Sequence, residues 1–476
     1  MSAMLSLRDP RTGRPDGALS IDGAAEITAL AARLRAAQPD WAASPPGLRC
    51  NALAAFADAL ARRRDALIEA LCRDTGRWHE SVMEVDGALG GIRRWVAEAP
   101  ALLREPAARP AGPPHIEVRQ ALVPFELVGV VSPWNFPLLL ALIDAVPALA
   151  AGSAVLIKPS EVTPRFVAPL REALAEVPAL AAVLGVAIGP GESGAAVVDA
   201  VDLVCFTGSV RTGRRVGEAC MRSFIPCFLE LGGKDPAIVL ADADIPRAAR
   251  AIAWAGFVNG GQSCMSIERV YVERPAFDAF VSALVEEAKA LKLAHPSPRD
   301  GQIGPIISAA QVAIVREHLA DAKARGARAL TGGEVLSLDG GAWCPPTVLV
   351  DVTQDMRVVS EETFATVLPV MPVDDEADAI ARANQSIYGL SAAVFARDLT
   401  RAERIARRLH AGAISLNDAS LTAIIHSGEK QSFKQSGLGG SRMGAASIRR
   451  FLRPQALLVN TGGDSPWWFP PTGAGR

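Results

Sequence analysis

Three side chains in this sequence have the types and surroundings that acyl chemistry needs. Cys264 closes the run Asn259-Gly260-Gly261-Gln262-Ser263-Cys264, between a helical stretch (Ile252 to Val258) and an apolar strand (Val270 to Val272). Small residues before it allow a tight backbone, so an N–H there can face a developing oxyanion. An arbitrary cysteine is a small buried hydrophobe, and Cys205, inside an apolar strand, reads that way. Glu230 opens Glu230-Leu231-Gly232-Gly233-Lys234 after an apolar run. A carboxylate ending a strand faces a cleft at the carboxyl edge of a sheet, where it can serve as a general base. Taken alone, a solvated glutamate before a turn is the stronger reading. Asn135 sits in Pro133-Trp134-Asn135-Phe136-Pro137, on a loop stiffened by two prolines, and its amide is a neutral donor suited to an oxyanion.

Two glycine-bearing loops point to a nucleotide. Gly189-Pro190-Gly191-Glu192-Ser193-Gly194 follows an apolar strand and has the GxGxxG form, with Gly191 and Gly194 as candidates. Pro190 is odd for a dinucleotide turn, and no acidic residue ends the next strand about 20 positions on. Gly208-Ser209-Val210-Arg211-Thr212-Gly213 also follows a strand and opens a helix. Ser209 and the backbone donors there suit a pyrophosphate, or Ser209 simply caps the helix; both readings stand. A Walker loop is excluded, because Lys-Ser/Thr does not follow the second glycine.

The elements that must position these groups follow from periodicity. Ala24 to Arg35 and Ala52 to Cys72 carry helical spacing, Glu105 to Pro114 is a Pro/Gly-rich break, and Ile116 to Val123 alternates like a strand. From Leu127 to Leu240, short β-rich runs (Val128–Val131, Ala154–Ile157, Val183–Ile188, Leu203–Phe206, Ala237–Leu240) alternate with helical segments. A second alternation covers roughly 244–420, with strands near 270–272, 367–370, 392–395 and 413–416. Alternating strand and helix means parallel sheets covered on both faces, so the fold class is α/β with two parallel lobes. The 476 residues are too many for one ordinary core, and the 50% hydrophobic, 21% charged composition excludes a disordered chain. A formal charge of -2 offers no footprint for nucleic acid or an acidic membrane. The longest charge-free apolar stretch, Leu127 to Ile143, is interrupted by Pro133, Asn135 and Pro137, which argues against a span of ~20 apolar residues. No secretory signal is visible at residues 1–10. Seven scattered cysteines without a CxxC pair fit a reducing compartment, so a cytoplasmic protein without a zinc cage or disulfide framework is expected.

Taken together, the motifs resemble the aldehyde dehydrogenase superfamily from about residue 25 to 460. PWNFP at 133–137 is similar to the family's oxyanion loop, and IKPSEVTP at 157–164 to its adenosine-ribose site. FTGSVRTG at 206–213 resembles its pyrophosphate loop, LELGGK at 229–234 its general-base motif and NGGQSC at 259–264 its nucleophile loop. Glu361-Glu362-Thr363-Phe364 resembles its nicotinamide-side motif. The resemblance implies Cys264, Glu230 and Asn135 as catalytic residues. It also implies Trp134, Lys158, Ser160, Glu161, Gly191, Gly194, Gly208, Ser209, Gly213, Leu231, Glu362 and Phe364 as the cofactor set. Two departures stand out: Ala365-Thr366 replace the usual Gly-Pro, and Gln431-Ser432-Phe433-Lys434 replaces the usual Pro-Phe-Gly-Gly before Gln435-Ser436-Gly437.

The resemblance further implies two Rossmann-like lobes plus a small β element for oligomerisation. Residues 1–104 and 124–230 form the dinucleotide-binding domain, 231–430 the catalytic domain, 105–123 and 453–461 the oligomerisation strands, and 462–476 a tail. The implied reaction is oxidation of an aldehyde to a carboxylic acid through a Cys264 thioester, hydrolysed with help from Glu230. Alternatives are a CoA-acylating enzyme, which has no need of Glu230, and a non-catalytic structural relative. NAD is the expected cofactor, with NADP as the alternative, because Glu161 at the ribose would repel a 2′-phosphate. The expected partners are a small aldehyde and further copies of the chain in a homodimer or homotetramer. Leu421 to Ile425 faintly resembles the branch acting on fatty and aromatic aldehydes, although such a run also reads as a packed core strand. The aromatic tail around Trp467, Trp468 and Phe469 is expected to pack on its own oligomer.

Overall fold

In the computed structural model, residues 3–465 and 467–469 are described. Four helices, Ala24–Ala43, Pro46–Arg62, Arg64–Thr75 and His79–Leu102, occupy most of the N-terminal region. They pack their apolar faces (Leu34, Phe56, Leu67 and Ile92 among them) into the same core as the first sheet.

The first sheet is built from near-continuous apolar strands, as burial on both faces requires. Its order is Gly437–Leu438, Cys227–Glu230, Leu203–Thr207, Leu127–Val131, Ala154–Lys158, Leu184–Val186. All neighbours run parallel except Gly437–Leu438, which is antiparallel to Cys227–Glu230. The chain begins in the middle at Leu127–Val131, steps outward twice on one side, then returns to the other side at Leu203–Thr207. That reversal leaves a crevice beyond the carboxyl ends of Leu127–Val131 and Leu203–Thr207, the place where open α/β sheets take ligands.

The second sheet runs Arg328–Thr331, Thr347–Val350, Val367–Val373, Ile267–Glu273, Asp235–Val239, Ser391–Phe395, Ala413–Leu416, and is parallel apart from its first strand. Asp235–Val239, which the alternation groups with the preceding strands, pairs with Ile267–Glu273 and Ser391–Phe395 instead. The run Leu421 to Ile425 is no core strand: Leu421–Ala423 is a short 3-10 turn, and Ile424 and Ile425 are exposed. Left-handed backbone at Asn417 and Ser420 ends the extended chain before it.

Ile116–Pro124 pairs along its whole length with Leu452–Asn460, antiparallel, in a separate three-stranded sheet completed by Arg109–Pro110. Leu452–Asn460 is its outer strand and leaves Leu457 and Leu458 exposed. The tail 462–476 lies partly outside the described residues; Trp467, Trp468 and Phe469 are exposed. Among the described residues, no helix is long and apolar enough to cross a membrane.

Candidate active site

The loop after Leu127–Val131 carries Asn135 and is fixed on both sides. Ser132 N–H donates to the Lys158 carbonyl at 3.0 Å, and the Trp134 carbonyl accepts from Thr163 Oγ1 at 3.1 Å. Pro137 then starts the helix Pro137–Ala151, where its lack of an N–H costs nothing. Glu84 Oε1 accepts from the Leu138 and Leu139 N–H groups at 2.8 and 3.1 Å, so a carboxylate from a distant helix caps this one. Arg77 ties the cap to the loop: it donates to Glu84 Oε2 at 2.9 Å, to the Asn135 carbonyl at 2.7 Å, and to Asn259 Oδ1. Burial pushes the Glu84 carboxyl up to about 7, against the pull of Arg77 and the two backbone donors.

The Cys264 loop needs its glycines. Asn259, Gly260 and Gly261 run consecutively through the left-handed region at φ 57°, 63° and 69°. A side chain on Gly261 would strike the Ala365 backbone, so the residue replacing the usual glycine of the Glu362 motif lies directly beneath the Cys264 loop. A Cβ on Gly233 would likewise strike the Cys264 carbonyl, which explains the second glycine after Glu230. Asn135 Nδ2 donates to the Gln262 carbonyl at 3.0 Å, and Asn259 Nδ2 donates to the same carbonyl at 2.9 Å. The Asn135 amide therefore faces the Cys264 loop with one of its two N–H groups committed. Among the described residues the Cys264 backbone N–H has no acceptor. Cys264 itself is half-buried. Burial pushes its thiol up to about 11; Lys430 and Arg442 pull it down, while Glu230 and Glu362 push it further up.

A cleft opens at the crevice of the first sheet. Cys264, Asn135 and Trp134 line it from one side, Gly208, Ser209 and Leu231 from another. Glu362 and Phe364 close it, with Phe364 at φ 54° and edge-on to Trp134 at 5.4 Å between ring centres. Ser209 is the N-cap of Val210–Arg222, accepting from the Thr212 N–H at 3.3 Å, so its exposed hydroxyl and the helix N-terminus face the same opening. Gly213 packs directly under Leu231, where a Cβ would collide. Glu362 Oε1 accepts from the Gly233 N–H at 3.0 Å, and burial followed by the neighbouring Glu268 pushes its carboxyl up to about 8.

Five of the sequence candidates for the cofactor set, together with Glu230, lie off this cleft. Lys158 ends the strand beside Leu127–Val131 and pairs with Glu161 at 2.9 Å, while Ser160 Oγ accepts from the Val162 N–H at 3.2 Å. They share its sheet edge one strand away. Gly191 and Gly194 sit in the helix Gly191–Ala200 with open space at their Cβ positions, whereas Gly189 is the glycine packed tightly, against Ser193. Glu230 ends Cys227–Glu230 opposite Thr207. Its Oε2 accepts from Ser432 Oγ at 3.3 Å and lies 3.8 Å from Lys430 Nζ.

Several site-building residues were given no role from the sequence. Buried Lys234 pairs with Glu268 at 2.5 Å and donates to Thr363 Oγ1 at 3.0 Å. Glu268 then accepts from the Thr363 and Phe364 N–H groups at 2.7 and 3.0 Å, which holds the loop bearing Glu362 and Phe364. On the far side, Asp144 is clamped by Arg442 at 2.7 Å and by Arg450, and Arg442 also donates to Thr207 Oγ1. Lys234, the last residue of the Glu230 motif, was within reach of sequence reasoning; the others become visible only when distant segments meet.

The profile of the Aldehyde dehydrogenase family matches residues 2–457. A protein of Mycolicibacterium smegmatis, provisionally named as an NADP(+) succinate-semialdehyde dehydrogenase, is 36% identical over 94% of this chain and 87% of its own. A solved structure from Anabaena variabilis, provisionally named aldehyde dehydrogenase PutA, superposes with a TM-score of 0.97 at 50% identity, covering 98% of this chain and 100% of that one. The Mycobacterium tuberculosis aldehyde dehydrogenase complexed with NAD+ superposes with a TM-score of 0.91 at 32% identity, covering 98% and 96%. With its motifs converging on one crevice and the likeness running the length of the chain, the protein belongs to the aldehyde dehydrogenase family.

Proposed function

We propose that the protein oxidises an aldehyde to a carboxylic acid with NAD(P)+, through a covalent intermediate on Cys264. One observation supports this most: the half-buried Cys264 and the Asn135 amide share a single cleft with a helix N-terminus fit for a pyrophosphate. The residues present suit a dinucleotide. Ser209 and the Val210–Arg222 N-terminus would hold the phosphates, Lys158 and Glu161 one ribose, Glu362 the other, and Trp134 and Phe364 would wall the nicotinamide. When bound there, the nicotinamide supplies the oxidising power by taking a hydride.

The Cys264 thiolate attacks the aldehyde carbon, forming a C–S bond. The resulting oxyanion is met by the free Asn135 N–H and the unpartnered Cys264 backbone N–H, donors worth about 3–4 kcal/mol each. Once the carbon is oxidised, a thioester remains on Cys264. Glu230 takes a proton from water, which adds to the thioester carbon and releases the acid and the thiol. The presence of Glu230, directly before the cleft-lining Leu231 and Gly232, favours hydrolysis over transfer to CoA. We infer a homo-oligomer built through the sheet of Ile116–Pro124 and Leu452–Asn460, whose outer strand carries exposed leucines.

The test is purified protein with NAD+ or NADP+ and a panel of aldehydes, with and without CoA, scored for NAD(P)H and for acid. Acid formation without CoA is expected, together with its loss in Cys264→Ala while NAD binding persists. Normal aldehyde oxidation by Cys264→Ala would remove the nucleophile assignment.

A further inference from the structure

Two cysteines that the proposed reaction does not use face each other behind the cleft. Cys220 lies in the last turn of Val210–Arg222, the helix that Ser209 caps, and Cys227 opens Cys227–Glu230, the strand that ends in Glu230. Their positions follow from how the helix packs on the strand. A Cβ on Gly213 would collide with Leu231, and one on Gly217 would touch Leu229 at 3.5 Å. Gly213, Gly217 and Cys220 lie on one stripe of the helix, and Leu231, Leu229 and Cys227 lie on one face of the extended chain. The helix therefore runs back along the strand, and the next pair in this register is Cys220 against Cys227. The lengths agree: Gly213 to Cys220 spans about 10 Å of helix, Leu231 to Cys227 about 13 Å of strand. The turn between the two cysteines is closed by the Ile225 N–H, which donates to the Cys220 carbonyl at 3.0 Å. Cys205, on the neighbouring strand, sits opposite Phe228 and so belongs to the other face.

We propose that Cys220 and Cys227 are a reversible disulfide site, closed by a hydroperoxide and reopened by a thiol. The two members differ in access. Cys220 is 1% exposed and sits in the core, whereas Cys227 is half-buried, as Cys264 alone is among the other cysteines. A hydrogen bond from the Cys220 thiol supports the Cys227 thiolate, lowering the Cys227 thiol and raising that of Cys220. An accessible thiolate backed by a buried thiol suits a reacting and a resolving cysteine. The Cys227 thiolate attacks one oxygen of the peroxide, breaking the O–O bond; Cys227 becomes a sulfenic acid and hydroxide leaves. The Cys220 sulfur then attacks the Cys227 sulfur, displacing its oxygen as water as the Cys220 proton is lost. Two thiols and one hydrogen peroxide thus give one disulfide and two waters. The bond ties the last turn of the helix to the start of the strand, at the ends remote from Ser209 and Glu230. A disulfide of this kind is transient in a reducing compartment, because a free thiol exchanges with it.

The experiment treats the full-length protein with hydrogen peroxide, blocks remaining thiols with iodoacetamide and digests with trypsin without reduction. Arg222 lies between the two cysteines, so the disulfide joins peptide 216–222 to peptide 223–234. Mass spectrometry is expected to find that linked pair, two hydrogens lighter than the sum of its parts, and to lose it after dithiothreitol. Cys220→Ser should leave a sulfenic acid on Cys227 that dimedone traps, and Cys227→Ser should abolish the link. Parent protein oxidised at Cys264 or Cys227 with peptides 216–222 and 223–234 still separate would overturn the proposal. So would a link that joins two chains, read by mixing isotopically heavy and light protein before oxidation. Dimedone on Cys220 of Cys227→Ser to the same extent as on Cys227 of Cys220→Ser would overturn the division into reacting and resolving thiols. The parent protein alone gives the decisive reading, whether or not the serine variants fold.

Discussion

At the scale of single residues, Glu230→Gln separates the two halves of the proposed reaction. The amide nearly preserves size but cannot take a proton from water, so thioester hydrolysis should slow by about 100- to 10,000-fold. Rapid mixing should then show one NADH per active site forming quickly, followed by a very slow steady state. A folded variant with no burst would move Glu230 to activation of Cys264. Which residues gather at the cleft was largely legible beforehand, because Asn135, Ser209 and Cys264 each follow a strand end or helix end with a recognisable local pattern, while Glu362 came from the family resemblance alone. Lys430 and Ser432 were not. Their relation to Glu230 spans some two hundred positions, as the 202-residue separation of the Ser432–Glu230 bond shows. No local periodicity reports a contact that only the fold creates.

Elements are what turn those side chains into a site. The Glu362–Phe364 loop has no sheet partner, and its shape depends on Glu268 accepting from two of its N–H groups while balanced by buried Lys234. Glu268→Gln leaves Lys234 uncompensated, a change of the kind that costs about 3–5 kcal/mol. It should lower the melting temperature and weaken NAD binding more than it changes Cys264 alkylation. Calorimetric melting together with NAD titration checks this; unchanged NAD affinity in a folded variant would count against the loop's role. The parallel lobes were readable from alternation, because strands buried on both faces are apolar throughout. The assignment of Asp235–Val239 was not, since a strand's sequence gives its burial but not its neighbour. Leu421 to Ile425 misleads for the converse reason: five apolar residues look like a strand, yet left-handed Ser420 breaks the extended backbone just before them.

Across the whole molecule, the C-terminal segment is fastened to the first lobe by Asp144 between Arg442 and Arg450. Burial alone would raise the Asp144 carboxyl, but the two guanidiniums outweigh it and hold the group below the usual carboxylate range. The native value thus lies beneath the unfolded value of about 4, so the contribution is complete above that pH and fades as pH falls through the native value. Asp144→Asn should destabilise the protein at neutral pH by about 3–5 kcal/mol and flatten its loss of stability in acid. Urea unfolding at several pH values reads both; a parallel acid slope in the variant would contradict the assignment. Assembly is tested at the outer strand. Leu458→Lys should shift the protein to smaller species in sedimentation velocity with little change in monomer fold, and an unchanged assembly would place the interface elsewhere.

The pairing of Ile116–Pro124 with Leu452–Asn460 also has a consequence for how the chain is made. Its first strand leaves the ribosome roughly 330 residues before its partner, which at about 5–20 residues per second is a wait of roughly 15–70 s. Throughout that interval a nine-residue edge lacks its ladder. Glu117 and Arg119 are the charges that discourage foreign strands from joining it. Nascent chains stalled short of residue 452 should therefore be a preferred chaperone client, and neutralising both charges should increase their aggregation. Equal recovery of charged and neutralised stalled chains would show that the edge is shielded by something else.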